Sequence, residues 1–294
     1  MATPSLGAVS ERFPPLPDSR SRRRLRLPFS PWHLFLAPLA AIMLVPLVWM
    51  AILSLESEPQ ARSFPPVLIP SSLHFENYLT TWNSAPFGHF FLNSALYSLA
   101  TVAGNLVFCS LAAYAFARIR FFGREVLFVI LLATLMVPFQ VLLIPTFLIV
   151  KKLGMVDSIG GLIVPNLCSA FGIFMLRQFF RTLPIELEEA ARIDGTSRLG
   201  ILWKIVLPLS MPALATLAII QFMWSWNDFL WPLIIINTST HAPLQLGLST
   251  LQGAHGTQWN LLMAGTLMSQ VPMLAAFLFA QRWFIRSIAF TGIK

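Results

Sequence analysis

Six apolar stretches, each long enough to cross a bilayer, dominate the chain: roughly residues 31–55, 92–117, 126–150, 156–176, 207–233 and 261–281. A helix needs about 20 apolar residues to span the hydrocarbon layer. A single water-soluble core cannot hide six such runs, because a chain of this length must still present surface to water. Composition agrees, with 56% of the 294 residues hydrophobic and 11% charged, and a mean hydropathy of +0.71. The chain therefore reads as an all-α, polytopic membrane protein with six transmembrane helices.

The first run follows Arg20, Arg22, Arg23, Arg24 and Arg26. It is too long for the apolar core of a signal peptide, so it reads as a retained anchor helix, with Pro38 and Pro46 as kinks that neighbouring helices can satisfy. An even number of spans puts both termini on one side. With the N-terminus inside, 17 of the 20 Lys and Arg fall on the inner side, and only Arg62, Lys151 and Lys152 fall outside. By the positive-inside rule both ends are expected in the cytoplasm of a bacterial or archaeal cell. The net charge of +8 is spread between apolar runs rather than gathered on one face, which argues against a nucleic-acid partner. Residues 1–28 carry Pro, Ser and Arg without an apolar period and read as a disordered cytoplasmic tail. Residues 29–294 form the membrane domain, with its core at about 90–285. The Pro-rich outer loop 56–91 is expected to lie folded on the outer surface. The loop 237–260, which has no Asp, Glu, Lys or Arg, reads equally as a linker or as a surface for a polar partner.

Chemistry is sparse. No GxxxxGK[ST], HExxH, CxxC or GxSxG sequence is present, so no catalytic residue, metal or cofactor is expected, and any ATP hydrolysis has to come from another protein. Cys109 and Cys168 lie in apolar runs and read as packing residues. His33, His74, His89, His241 and His255 fall at span edges or in outer loops. Ion-coupled transporters place titratable groups in mid-span, and the single candidate here is Asp228. Counting about 20 residues from Pro208 puts it at the outer boundary, among Trp224, Trp226 and Trp231. Asn105, Gln140, Asn166, Gln221 and Gln270 could line a path for a hydroxyl-rich solute, or could bond helix to helix.

The densest charge lies in the loop 177–208. Pro184 suits a first helical turn, and Glu186, Glu188 and Glu189 suit the positive end of a helix dipole. Asp194-Gly195 suits a helix stop. These features predict a short surface helix from Ile185 to about Ile193 and a second stretch from Arg198 to Val206. On this pattern alone, an ordinary interfacial helix and a partner-docking helix stand level.

A resemblance separates them. Glu189-Ala190-Ala191, three residues, Gly195, nine residues, Ile205, one residue, and Leu207-Pro208 resemble the EAA loop of permease subunits of ABC importers. Residues 30–294 resemble the maltose-type carbohydrate permease family, and in particular its smaller permease subunit. LEEAARIDG at Leu187–Gly195, SWNDF at Ser225–Phe229 and the terminal QRWFIRSIAFTGIK add to the likeness. The resemblance implies a type I importer permease fold working with a second permease subunit, two cytosolic ATP-binding subunits and an extracytoplasmic solute-binding protein. It implies that the loop is a coupling helix seated in a groove of an ATPase, a helix-in-groove contact. Glu188, Glu189, Ala190, Ala191, Asp194, Gly195, Ile205, Leu207 and Pro208 would carry the coupling. Asn227 and Asp228, near the surface where a binding protein would dock, could act in gating. Trp283 and Ser287 depart from the family's usual Tyr and Gly, which bears on whether the tail reaches the ATPases. A sugar is the expected solute. A polyol or glycerol-phosphate ester is the alternative, and an ion-coupled transporter or membrane transferase stands further off.

Overall fold

The computed structural model describes residues 32–253 and 256–291, with the side chains of 253, 280 and 282–291 left aside. The expectations for residues 1–28, for Trp283 and Ser287, and for Gly292–Lys294 therefore lie outside the described residues and side chains. Residues 32–46 form one unit and the chain from Leu47 another. In the first unit, the start of α1 (Trp32–Ser54) leaves every large apolar side chain from Trp32 to Val45 exposed, as a lipid-facing helix would.

In the second unit, α1 ends at Ser54, whose Oγ lies 2.8 Å from the hydroxyl of Tyr78. Two short helices follow, α2 (Glu58–Ala61) and α3 (Glu76–Ser84). Asn77 of α3 donates to the carbonyls of Ser54 and Glu56, so the first long loop is folded and tied to the end of α1. The long helix α4 (Phe87–Arg118) is the axis of the unit. Then come α5 (Arg124–Thr134), α6 (Phe139–Lys152), α7 (Ile159–Ile163) and α8 (Ala170–Thr182), followed by α9 (Glu186–Ile193) and α10 (Arg198–Ile201). A π-helical stretch, Leu202–Val206, leads into α11 (Leu207–Leu209), and α12 (Met211–Trp226), α13 (Leu230–Ile235) and α14 (Leu244–Ser249) follow. A two-residue β pair, β1 (Gln252–Gly253) with β2 (Gly256–Thr257), precedes α15 (Trp259–Thr291).

Among the described residues three helices, α1, α4 and α15, are long and apolar enough to cross a membrane, and three bent pairs bring the number to six if each pair is one span. The expected third, fourth and fifth spans are thus not straight. The pair α5–α6 bends by 102°, where Pro138 has no N–H to continue the helix and favours an extended residue before it. The chain bends by 81° between Leu209 and Met211, flanked by Pro208 and Pro212. The fourth span bends by 41° around Leu167–Ser169 and restarts at α8, where the Ser169 hydroxyl accepts the Gly172 N–H at 3.1 Å, an N-cap.

Between apolar helices in lipid, close packing and hydrogen bonds replace the hydrophobic drive. Gly104 of α4 illustrates the first, since a Cβ there would stand 3.2 Å from the Leu167 Cα. Packing of α4 on α8 and α12 leaves two buried clusters. One gathers Phe87, Phe90, Tyr97, Leu162, Trp226, Trp231 and Leu244, and the other Cys109, Tyr114, Leu176, Phe180, Ile201, Leu202 and Leu217. The two cysteines sit with their sulfurs 3.7 Å apart. The loop 237–260 is not a free linker: the Leu244 N–H donates to Ser94 Oγ at 2.7 Å, and Asn93 donates to the carbonyls of Thr240 and Ala242. Asp157, at φ 56°, pins the start of that loop by accepting from the N–H groups of Asn237 and Thr238. Those donors hold its carboxyl below the usual carboxylate range.

Candidate functional site

The charged loop folds close to expectation. Glu186, Glu188 and Glu189 fill the first turn of α9 and Arg192 the last, each sign at the end of the helix dipole that favours it. The stop is a left-handed Gly195 at φ +78°, with the Thr196 N–H donating to the Ala191 carbonyl at 2.9 Å. Nothing lies within 4 Å of a Cβ built on Gly195, so conformation rather than space demands glycine there. Ser197 caps α10 through the Gly200 N–H.

The faces of α9 divide the expected coupling residues. Glu189, Ala190, Asp194 and Gly195 are exposed, while Glu188 and Ala191 turn inward, at 2% and 8% exposure. In this structure Ala191 and Glu188 are both packed against the chain itself. Glu188 Oε1 stands 2.8 Å from Arg118 Nε, and its Oε2 accepts the Tyr114 hydroxyl at 3.1 Å. Arg118 in turn donates through Nη2 to the carbonyls of Phe180 and Leu183. The Nε–H does not point along its contact with Glu188, so that contact is one of charge rather than a directed hydrogen bond. Beyond the turn, Ile205 and Leu207 are half-buried and Pro208 is exposed. At the same end of the helices, Arg177 pairs with Glu125 at 3.0 Å and lies 3.7 Å above the Phe128 ring, clasping α5 to α8.

Asp228 sits at the break between α12 and α13. The helix α12 stops at Trp226, and the carboxylate lies against the first third of α4. The Tyr97 hydroxyl donates to its Oδ2 at 2.8 Å and the Trp231 N–H to its Oδ1 at 3.3 Å. Tyr97 is the eleventh residue of α4, about 15 Å along the helix from Phe87. Asn166 donates to the Tyr97 oxygen at 3.2 Å. Asn227 is exposed and bonds the Met223 carbonyl at 2.8 Å, closing the end of α12.

Tyr97, Asn166, Asn227 and Asp228 wall a cavity of about 670 Å³ together with Phe139, Ser169, Gln221, Trp224 and Ser225. Among the described residues Asp228 is the one charged side chain in that wall. Of the polar residues singled out in the sequence, Asn166 and Gln221 reach the cavity. Asn105 is buried and joins helices, donating to the Asn166 carbonyl and accepting the Ser169 hydroxyl. Gln140 is exposed and Gln270 half-buried, both away from the wall. Sequence reasoning missed Tyr97 and Arg118. A tyrosine hydroxyl inside an apolar run needs a partner, and that signal was there to be read.

Comparison with known proteins agrees with this architecture. Residues 105–289 match the family described as binding-protein-dependent transport system inner membrane component. The chain is 37% identical over 264 residues to the sn-glycerol-3-phosphate transport system permease protein UgpE of Yersinia enterocolitica, covering 87% of this chain and 94% of that protein. It is 38% identical over 226 residues to the arabinooligosaccharides transport system permease protein AraQ of Halalkalibacterium halodurans, covering 76% and 81%. Among solved structures it is similar to a chain of a bacterial ABC transporter involved in the import of the acidic polysaccharide alginate. That match has a TM-score of 0.74 at 26% identity and covers 87% of this chain and 99% of that one. With a family match across most of its length and a fold to suit it, the chain belongs to the inner-membrane components of binding-protein-dependent transport systems.

Proposed function

We propose that the chain forms half of the translocation pathway of an ABC importer for a neutral carbohydrate, with α9 as the helix that engages an ATPase. Its partners in this reading are a second permease subunit, two cytosolic ATP-binding subunits and an extracytoplasmic solute-binding protein. Both termini then lie in the cytoplasm, with the basic loops. The observation that carries the reading is the geometry of α9. One face is fixed to α4 through Glu188 and Arg118, and the other offers Glu189, Ala190 and Asp194. A helix held on one side and bare on the other is what a groove-docking element requires.

Relatives named for a phosphate ester and for oligosaccharides leave the solute open between two classes. The cavity favours the second, because its wall holds a carboxylate and, among the described residues, no Lys or Arg, and anionic solutes are held by cations along their route. Proteoliposomes containing the full importer and its binding protein should take up a saccharide in an ATP-dependent manner. Uptake of sn-glycerol 3-phosphate in place of saccharides would move the assignment to the other class, and uptake without the ATPase subunits would overturn it.

A further inference from the structure

We propose that this subunit itself holds a saccharide ring in the cavity at the α12–α13 break, with Asp228 accepting ring hydroxyls and Trp224 lying against the ring's C–H face. The inference rests on the carbohydrate reading above and adds to it a solute subsite within this chain.

The starting point is Gln221. Its residue is 6% exposed, it faces the cavity, and no hydrogen bond is made by its side-chain amide among the described residues, where its backbone carbonyl alone accepts from Ser225. An amide that opens onto a cavity and has no partner in the protein is free to bond a ligand's hydroxyls in place of water. Asp228 supplies the complementary acceptor. Tyr97 and the Trp231 N–H fix its orientation, no cation pairs with it among the described residues, and a carboxylate has acceptor capacity beyond two donors. Trp224 supplies the apolar part. It is 54% exposed and rests on Phe171 with ring centroids 5.6 Å apart, which steadies the indole while leaving much of it open.

A carboxylate, an unpaired amide and an open indole around one space match a ring that has hydroxyls at its edge and C–H groups on its face. The volume suits a ligand of that size, since small-molecule clefts run to roughly 300–1,000 Å³. A phosphate ester would meet Asp228 with no cation to offset it. A quaternary ammonium such as choline would suit Asp228 and Trp224 but brings a single hydroxyl for Gln221 and Asn166.

The test uses the assembled importer in lipid nanodiscs without its binding protein, and reads saturation transfer from protein to the protons of arabinotriose, maltotriose, sn-glycerol 3-phosphate and choline. Transfer to the ring protons of a trisaccharide is expected. Trp224→Ala and Gln221→Leu should each weaken that binding about tenfold, the scale of one well-made contact, and Trp224→Phe should restore most of it. Transfer confined to choline or to sn-glycerol 3-phosphate overturns the saccharide assignment, as does no transfer to any probe. If Trp224→Ala does not assemble, Gln221→Leu decides. Parent-like transfer in assembled Gln221→Leu and Trp224→Phe, or in Trp224→Ala where it assembles, puts the subsite outside this cavity wall and overturns the inference. Saccharide uptake by the same preparation would leave the importer reading intact in that case.

Discussion

Arg118 Nε and Glu188 Oε1 stand 2.8 Å apart with their side chains 8% and 2% exposed, joining the last turn of α4 to α9. Two residues 70 positions apart in sequence thus make a helix of eight residues part of a helix of 32. An isolated helix as short as α9 would not persist in water, so its order derives from this attachment and from Ala191 packed beneath it.

Arg118→Ala leaves the buried Glu188 with only the half-exposed Arg192 guanidinium, 4.0 Å away, in place of its close cation. Breaking one side of a buried pair costs about 3–5 kcal/mol, and the loss should appear as a lowered thermal midpoint of the purified permease. Glu189→Ala, on the exposed face, should leave that midpoint within about 0.5 kcal/mol of the parent and weaken co-purification of the ATPase. Equal midpoints for the two variants would refute the anchoring role of Glu188.

Ala190 and Ala191 separate docking from folding. Ala190→Arg adds a long cation to the exposed face, and the permease should fold while losing the ATPase. Ala191→Arg forces the same group into the chain's own interior and should lower expression of the permease alone. Gly195→Pro fixes φ near −65° where +78° is required, and Gly195→Ala pays the left-handed penalty of about 1–2 kcal/mol. Uptake should fall in both, further in the proline variant.

The thiols of Cys109 and Cys168 are 3.7 Å apart and come from α4 and the bend of the fourth span. Cys109 is buried and Cys168 is exposed at the cavity. A membrane-permeant maleimide should label Cys168 first. A diamide-type oxidant should join the two within one chain, removing one hydrogen from each thiol as the oxidant is reduced, and Cys109→Ser should abolish that product. Intermolecular dimers alone would contradict the packing of α4 on the fourth span.

Topology is open to direct measurement. A reporter fused after Lys294 is expected on the cytoplasmic side and one inserted at Ser63 on the opposite side. The same side for both would leave the three bent pairs unable to serve as three crossings.

Local chemistry was readable from sequence and long-range partnership was not. Pro184, three acids, Asp194 and Gly195 state the start and end of α9 within twelve consecutive residues, and the structure places Glu186–Ile193 where they say. The spans were legible from apolar length alone, but length carries no direction, so the 102° turn before Pro138 read as an unbroken run. The break before Asp228 was hidden for a related reason: counting residues assumes a continuous helix, and α12 ends two residues before it. Which face of α9 looks inward depends on Tyr114 and Arg118, more than 60 residues away, and helical period cannot distinguish a face toward this chain from one toward a partner. Yet the chain has three tyrosines, and each hydroxyl found a partner: Ser54, Asp228 and Glu188.

Two of those tyrosines share α4. Tyr97 and Tyr114 are 17 residues apart, about 26 Å along one unbroken helix, one holding the acid at the cavity and the other the acid at α9. A helix with its hydrogen bonds intact transmits an axial push much as a push-rod does, with little lost to compression. A displacement entering at Glu188 would then reach Asp228 without an intervening hinge, and thermodynamic reciprocity would apply along the rod. Whatever factor a solute at one end adds to the grip at the other, the grip must return to the solute.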